Sequence, residues 1–148
     1  MVIKQILGVV FGTALLVTQG ASAQSPVVTG DYSIFYNTLT SVTLDPEIAA
    51  KHGIQRSKLN GLLNVTVVRG QAEGKRQNVP ARVEATARTG DAPATSLAMR
   101  EIRVGDGVSY IGQFPIQNLQ IIDFTIQVTP PGAGEPTVIE LQEQFFTD

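Results

Sequence analysis

The residues able to do chemistry in this chain are few. His52 is the single histidine, and cysteine is absent. A histidine pair or a thiolate site for a metal is therefore out of reach. Ser57 and Asp45 lie near His52 in sequence, so a Ser–His–Asp arrangement is formally available, but no G-x-S-x-G elbow presents a nucleophile. The role expected of His52 is a cation at the end of a short helix, where it faces the negative pole of the backbone dipole. Asp91, Glu101, Asp106 and Asp123 have no spacing that joins any two of them. Turn aspartates serve their own backbone, and calcium would need a denser acidic loop. The expectation is a non-enzyme with no catalytic residue, no cofactor and no metal.

The other polar residues of interest are cations. Lys51, His52, Arg56 and Lys58 cluster in sequence around the helix exit. Arg100 and Arg103 stand in Arg100-Glu101-Ile102-Arg103, in the middle of a predicted strand, where charge is not needed for folding. Together the six are a candidate patch for an acidic partner. The competing reading is structural. The first four would be a solvated connection whose charge complements the helix end, and the arginines would form cross-strand ion pairs, with Glu84 or Arg82 as candidates.

These residues need elements to hold them, and Leu44 to Val68 supplies the main ones. Asp45 is an N-cap, Pro46 suits the first helical position, and Glu47 sits at the positive end of the dipole. Gly53 can take the left-handed position after the helix, and Ile54 then folds back on Ile48 and Ala49. About two turns cannot stand alone in water, so this helix must dock on a larger surface. The run from Gly61 to Val68 is β-branched and almost continuously apolar, as expected of a strand buried on both sides.

Elsewhere the pattern is of period two. Gln24 to Gly30 reads as a loose lead-in, and Asp31 to Asn37 as a strand with Tyr32, Ile34 and Tyr36 on one face. Val42 to Leu44 reads as a short edge strand. Val79 to Arg88 alternates throughout, and its inward alanines imply close approach of an opposing layer. Leu97 to Val104 and Val108 to Phe114 form a hairpin around Gly105-Asp106-Gly107. Leu119 to Thr129 and Thr137 to Phe146 are two further strands, with Glu143 falling on the inward phase near the end of the second. Pro130 to Pro136 is a loop.

Seven or eight strands with no β-α-β alternation indicate an all-β fold. The expected form is an immunoglobulin-like antiparallel β-sandwich with one short helix in a crossover; the alternative is a small closed β-barrel. Met1 to Ala23 has the form of a cleaved signal peptide: Lys4, then an apolar run from Ile6 to Val17, then Ala21-Ser22-Ala23. Residues 24–148 would then be a single periplasmic domain. Loss of Lys4 leaves ten cations against 13 acids, a net charge of −3. A weakly acidic domain has no electrostatic reason to bind nucleic acid, and no later segment could span a bilayer as a helix.

Tyr36-Asn37, Leu44-x-Pro46, Gly53-Ile54-x-Arg56-Ser57, Gly61-Leu62-Leu63-Asn64-Val65, Arg100-Glu101-Ile102 and Tyr110-x-x-x-Phe114-Pro115 occur in this order. Together they resemble a proteobacterial family of small exported proteins catalogued as a domain of unknown function. The resemblance implies an exported single domain, assigns no activity and carries over no site residue. Three functions stay open: a non-enzymatic interaction module engaging another envelope protein, a carrier of a small ligand or lipid, and, less favoured, a hydrolase.

Overall fold

Leu62, Leu63, Val65 and Val67 are all fully buried although they alternate in direction along one strand. That strand, β3 (Asn60–Arg69), is covered on both faces, and the fold is arranged around it. The computed structural model describes residues 25–70 and 76–148; the signal peptide expected over 1–23 lies outside them. Before β3 come β1 (Val27–Thr29), β2 (Tyr32–Thr40) and α1 (Pro46–Lys51). After it come β4 (Gln77–Asn78), β5 (Arg82–Arg88), β6 (Thr95–Leu97), β7 (Arg100–Val104), β8 (Gly107–Pro115), β9 (Ile121–Thr129) and β10 (Thr137–Gln144).

One sheet has the order β1-β2-β3-β8-β7, with β4 pairing the far end of β3; the other has the order β10-β9-β5-β6. Every pairing is antiparallel. The two sheets face each other and do not close into a barrel, so the sandwich expectation holds and the barrel alternative falls. α1 does not sit in a crossover between sheets. It lies in the connection between β2 and β3, which are neighbours in the same sheet.

There are ten strands among the described residues where the sequence suggested seven or eight. The lead-in is in part a strand, because Gly30 turns at a φ of 56° and lets Val27–Thr29 pair back on Tyr32–Ile34. The alternating run from Val79 is cut at Pro80, which has no N–H for a ladder. Gln77–Asn78 belongs to the first sheet and Arg82–Arg88 to the second. The run from Leu97 is likewise cut at Ala98–Met99, where the chain passes back from the second sheet to the first. Ser41–Thr43 forms a turn of 3-10 helix and not an edge strand.

Between the sheets the core is filled by Ile34, Leu63, Val65 and Val67 from one side and Ile122, Phe124, Ile126 and Val128 from the other. Phe114 of the first sheet meets Phe124 and Phe145 edge-on, at ring-centroid separations of 4.9 and 5.4 Å. Aromatic rings prefer this geometry because a positive edge meets a negative face. The trio depends on Gly61, directly opposite Phe114 in the ladder. The Phe114 ring lies where a Cβ on residue 61 would be, and Ile116 Cγ2 would be only 3.0 Å from it.

Gly61→Ala is therefore expected to push the Phe114 ring out of its place and lower stability by about 1–3 kcal/mol, the usual range for overpacking. A urea-unfolding midpoint no lower than that of the unaltered chain would show that the ring has room to yield.

Candidate functional site

Alternation along β3 sends Leu63, Val65 and Val67 inward and leaves Leu62, Asn64 and Thr66 on the outer face. Leu39 of β2 lies opposite Leu62, and Ile111 of β8 lies opposite Asn64. Ile102 of β7 completes this outer apolar surface. Ala49 and Ile54, from α1 and its exit, cover part of it, with Leu39 and Leu44 at its margin. This is a second apolar cluster, separate from the core between the sheets.

α1 is held there by local chemistry that was legible in the sequence. Asp45 accepts hydrogen bonds from the N–H groups of Glu47 and Ile48 at 2.8 and 3.3 Å. At the other end Gly53 has a φ of 65°, its N–H donates to Ala50 O, and Ile54 N–H donates to Ala49 O at 2.8 Å. This left-handed exit turns Ile54 back onto Ala49.

The connection around α1 is locked by a residue with no sequence signal. Ser41 is completely buried. Its hydroxyl accepts from Ser57 N–H at 2.8 Å and lies within donating distance of Gln55 O and Ser57 O, at 2.9 and 3.0 Å. Arg56 Nη2 donates to Val42 O at 2.7 Å across the same two segments. Asn60 Nδ2 reaches Gln55 O and Gln113 Oε1 at 3.0 and 3.1 Å.

Docking leaves the outer surface incompletely covered. A cavity of about 260 Å³ remains beside α1, walled by Leu39, Leu44, Ile48, Leu62, Ile102 and Ile111. Asn64 and Ser109 also line it. Asn64 Nδ2 donates to Asn37 Oδ1 at 3.1 Å, and the Ser109 hydroxyl is 2.9 Å from that of Thr66. Val104, 56% exposed, is at the rim.

The six predicted patch residues differ in placement and in partners. Arg100 is on the pocket's face, because it stands opposite Ile111 and two residues from Ile102. It is exposed and has no hydrogen-bond or ion-pair partner among the described residues. Lys51 and Lys58 are likewise exposed and unpaired, Lys51 in the last turn of α1. Arg56 is committed to the backbone. Arg103 points to the opposite face, where its Nε is 2.7 Å from Glu101 Oε1. Arg103 with Glu101, and Arg82 with Glu84 at 2.8 Å, pair along single strands and not with each other across strands as expected, whereas Arg88 and Asp123, opposite each other on β5 and β9, do pair across strands at 3.6 Å. His52 caps the end of α1, and its Nε2 is buried without a hydrogen-bond partner. Asp45 accepts from the helix start, the Ser57 hydroxyl accepts from Leu59 N–H at 3.1 Å, and among the described residues no hydrogen bond joins either side chain to His52. Among the described residues no three histidine or acidic side chains gather as a metal site.

Glu101 has a different role. Its Oε2 is 3.3 Å from the Tyr110 hydroxyl, which accepts from Ala81 N–H at 2.9 Å. Asn78 acts nearby, donating to Val67 O at 3.1 Å and accepting from Val108 N–H. These bonds fasten the chain where it crosses between sheets. Burial of Tyr110 pushes its pKa above the usual value of 10.0, partly opposed by the Ala81 bond and reinforced by the Glu101 charge.

Fold and site together define a small antiparallel β-sandwich with a helix-framed apolar pocket on one outer face and a cation on the same face. Residues 27–148 match the family described as a domain of unknown function, DUF4426, and the chain belongs to that family. A crystal structure of a DUF4426 family protein from Pseudomonas aeruginosa is similar, with a TM-score of 0.72, 27% identity, and coverage of 85% of this chain and 97% of that one. A copper-bound variant of FetP from uropathogenic Escherichia coli shares the fold at a TM-score of 0.56 and 15% identity, covering 83% of this chain and 95% of that one. FetP as isolated after expression in the periplasm gives the same TM-score and identity, with 84% and 94% covered. Comparison with curated protein sequences returns no match. Among the described residues no helix is long and apolar enough to cross a membrane.

Two outcomes follow from the polar ties. Ser41→Ala leaves Ser57 N–H without its acceptor in a buried place, and a loss of about 1–3 kcal/mol is expected, with faster amide exchange at Ser57. An unchanged exchange rate there would mean that α1 is held by apolar contact alone. Tyr110 loses a proton less readily folded than unfolded. The stability this gives is complete below pH 10.0 and is lost as pH rises from there through the raised folded value. Tyr110→Phe should flatten that alkaline slope in unfolding measured against pH.

Proposed function

We propose that this protein is a non-enzymatic binding module of the periplasm, and that it recognises an acidic partner protein at the pocket beside α1. The observation that carries the reading is the pairing of an apolar cavity with an unpartnered arginine: Arg100 stands opposite Ile111, a wall of the pocket. A partner inserting one apolar side chain while presenting a carboxylate would satisfy both. Lys51 and Lys58 add positive charge to the approach, which raises encounter rate more than final affinity. The signal-peptide form of Met1–Ala23 supports the periplasmic assignment, as does the fold shared with FetP, a protein expressed in that compartment.

Volume favours a side chain over a lipid. The cavity of about 260 Å³ is below the about 300–1,000 Å³ common for small-molecule sites, and the space between the sheets is filled by the core. A carrier using this cavity would hold at most a short hydrocarbon group. The copper in the FetP structure gives no ground for a metal here, since this chain offers one histidine and no cysteine as soft donors.

A photoreactive residue placed at Leu44, at the pocket wall, tests the reading in cells. One defined protein adduct is expected from that position, none from Thr125 on the other sheet, and loss of the adduct in Arg100→Glu. Equal labelling from both positions would sink the pocket as the recognition site. A lipid retained through purification and seen by native mass spectrometry would favour the carrier instead.

A further inference from the structure

A second surface, remote from the pocket, carries an inference that does not depend on the function just proposed. β10 is the edge strand of the second sheet and pairs only with β9. Phe145 N–H donates to Gln120 O, on the β9 side. In an antiparallel ladder successive residues turn their backbone groups to opposite neighbours. The N–H and C=O groups of Val138, Glu140, Gln142 and Gln144 therefore face away from β9, along an edge eight residues long.

The side chains at the two ends of this edge are apolar and exposed. Val138 is 55% exposed at one end and Phe146 65% at the other. Phe146 has company. Ile121, opposite Gln144, is 47% exposed, and Leu119 is 58% exposed in a left-handed backbone position, φ 63°, that leucine rarely takes. Gln144 Nε2 bonds to Leu119 O and so keeps that turn against the end of β10. Neither burial nor backbone preference within one copy accounts for these apolar residues.

A second copy does. We propose that two copies of this chain pair antiparallel through β10, about a twofold axis at Gln142, and so form one continuous eight-stranded sheet. Only registers that keep outer residues opposite outer residues are allowed, because a shift by one residue puts side chains on opposite faces. Centring on Glu140 or Glu143 sets each against its own copy, which like charges disfavour. Centring on Leu141 places Glu143 opposite the buried Ile139 and Val138 opposite Gln144, so the exposed apolar ends do not meet. Centring on Gln142 places Val138 opposite Phe146 of the second copy, Glu140 opposite Gln144, and Ile139 opposite Phe145. Leu141 then faces Glu143, both half-buried. In this register no glutamate meets a glutamate, and the apolar ends cover each other twice.

Because the chain has no native cysteine, the test can be direct. Across a hydrogen-bonded antiparallel pair the Cα atoms are about 5.5 Å apart, within disulfide reach. Gln142→Cys is expected to give a covalent dimer on mild oxidation, with less than a tenth as much from Glu140→Cys or from Thr125→Cys in the middle of the same outer face. Light scattering should give twice the chain mass for the unaltered purified protein. Val138→Glu, at an exposed position, should weaken the dimer at least tenfold and leave the unfolding midpoint unchanged at concentrations where both proteins are monomers. A monomer mass at 100 µM, or cross-linking no faster at residue 142 than at residue 125, would overturn the proposal.

Discussion

Everything placed on the outer face of the first sheet depends on β3 being apolar in both directions. An ordinary half-buried strand of a two-layer sandwich would present polar residues outward along its whole length. Here Leu62 breaks that rule, and its neighbours Leu39, Ile102 and Ile111 break it with it. An apolar surface left bare would cost stability and invite association, so the connection between β2 and β3 returns over it as a helix of six residues. That helix is too short to persist unaided; its persistence and the cover it gives are one interaction. The cavity is what remains because six residues are fewer than the surface needs.

The helix is positioned less by its own contacts than by the polar tie at its two flanks. Ser41 before it and Ser57 after it are joined by a hydrogen bond out of water, where an unmade bond is costly. Arg56 reaching Val42 O strengthens the same closure. The effect is to make the helix and its two flanking turns a rigid frame. A pocket with a rigid frame loses little entropy when filled, which suits recognition by a few side chains.

Much of this could be read from the residues, and the parts that could not have definite causes. The cap at Asp45, the left-handed Gly53 and the doubly buried β3 follow from local rules, since each is specified within a few neighbouring positions. The strand breaks at Pro80 and at Ala98–Met99 were harder. Apolar alternation runs on through Pro80, from Val79 to Ala81 and Val83, because a chain passing from one sheet to the other keeps one set of side chains in the shared core. Period alone does not reveal which sheet a residue belongs to. The placing of the candidate cations follows a related rule. Arg100 and Arg103 differ by an odd number of positions, so a strand must send them to opposite faces. The roles of Ser41 and Tyr110 were invisible, because they bond to partners 16 and 29 positions away.

The place of β8 in the first sheet has a consequence for how the molecule comes into being. β3 pairs with β8 from Val65–Tyr110 to Asn60–Pro115, so along this stretch its second neighbour lies 45 to 55 positions further along the chain. Contacts this distant along the chain are slow to form, since a long loop must close before they give anything back. Until then this largely apolar strand has one open side along most of its length. An emerging chain in that condition is prone to sticking to others of its kind, and an escort that shields Leu62 to Val67 for that interval would speed its maturation.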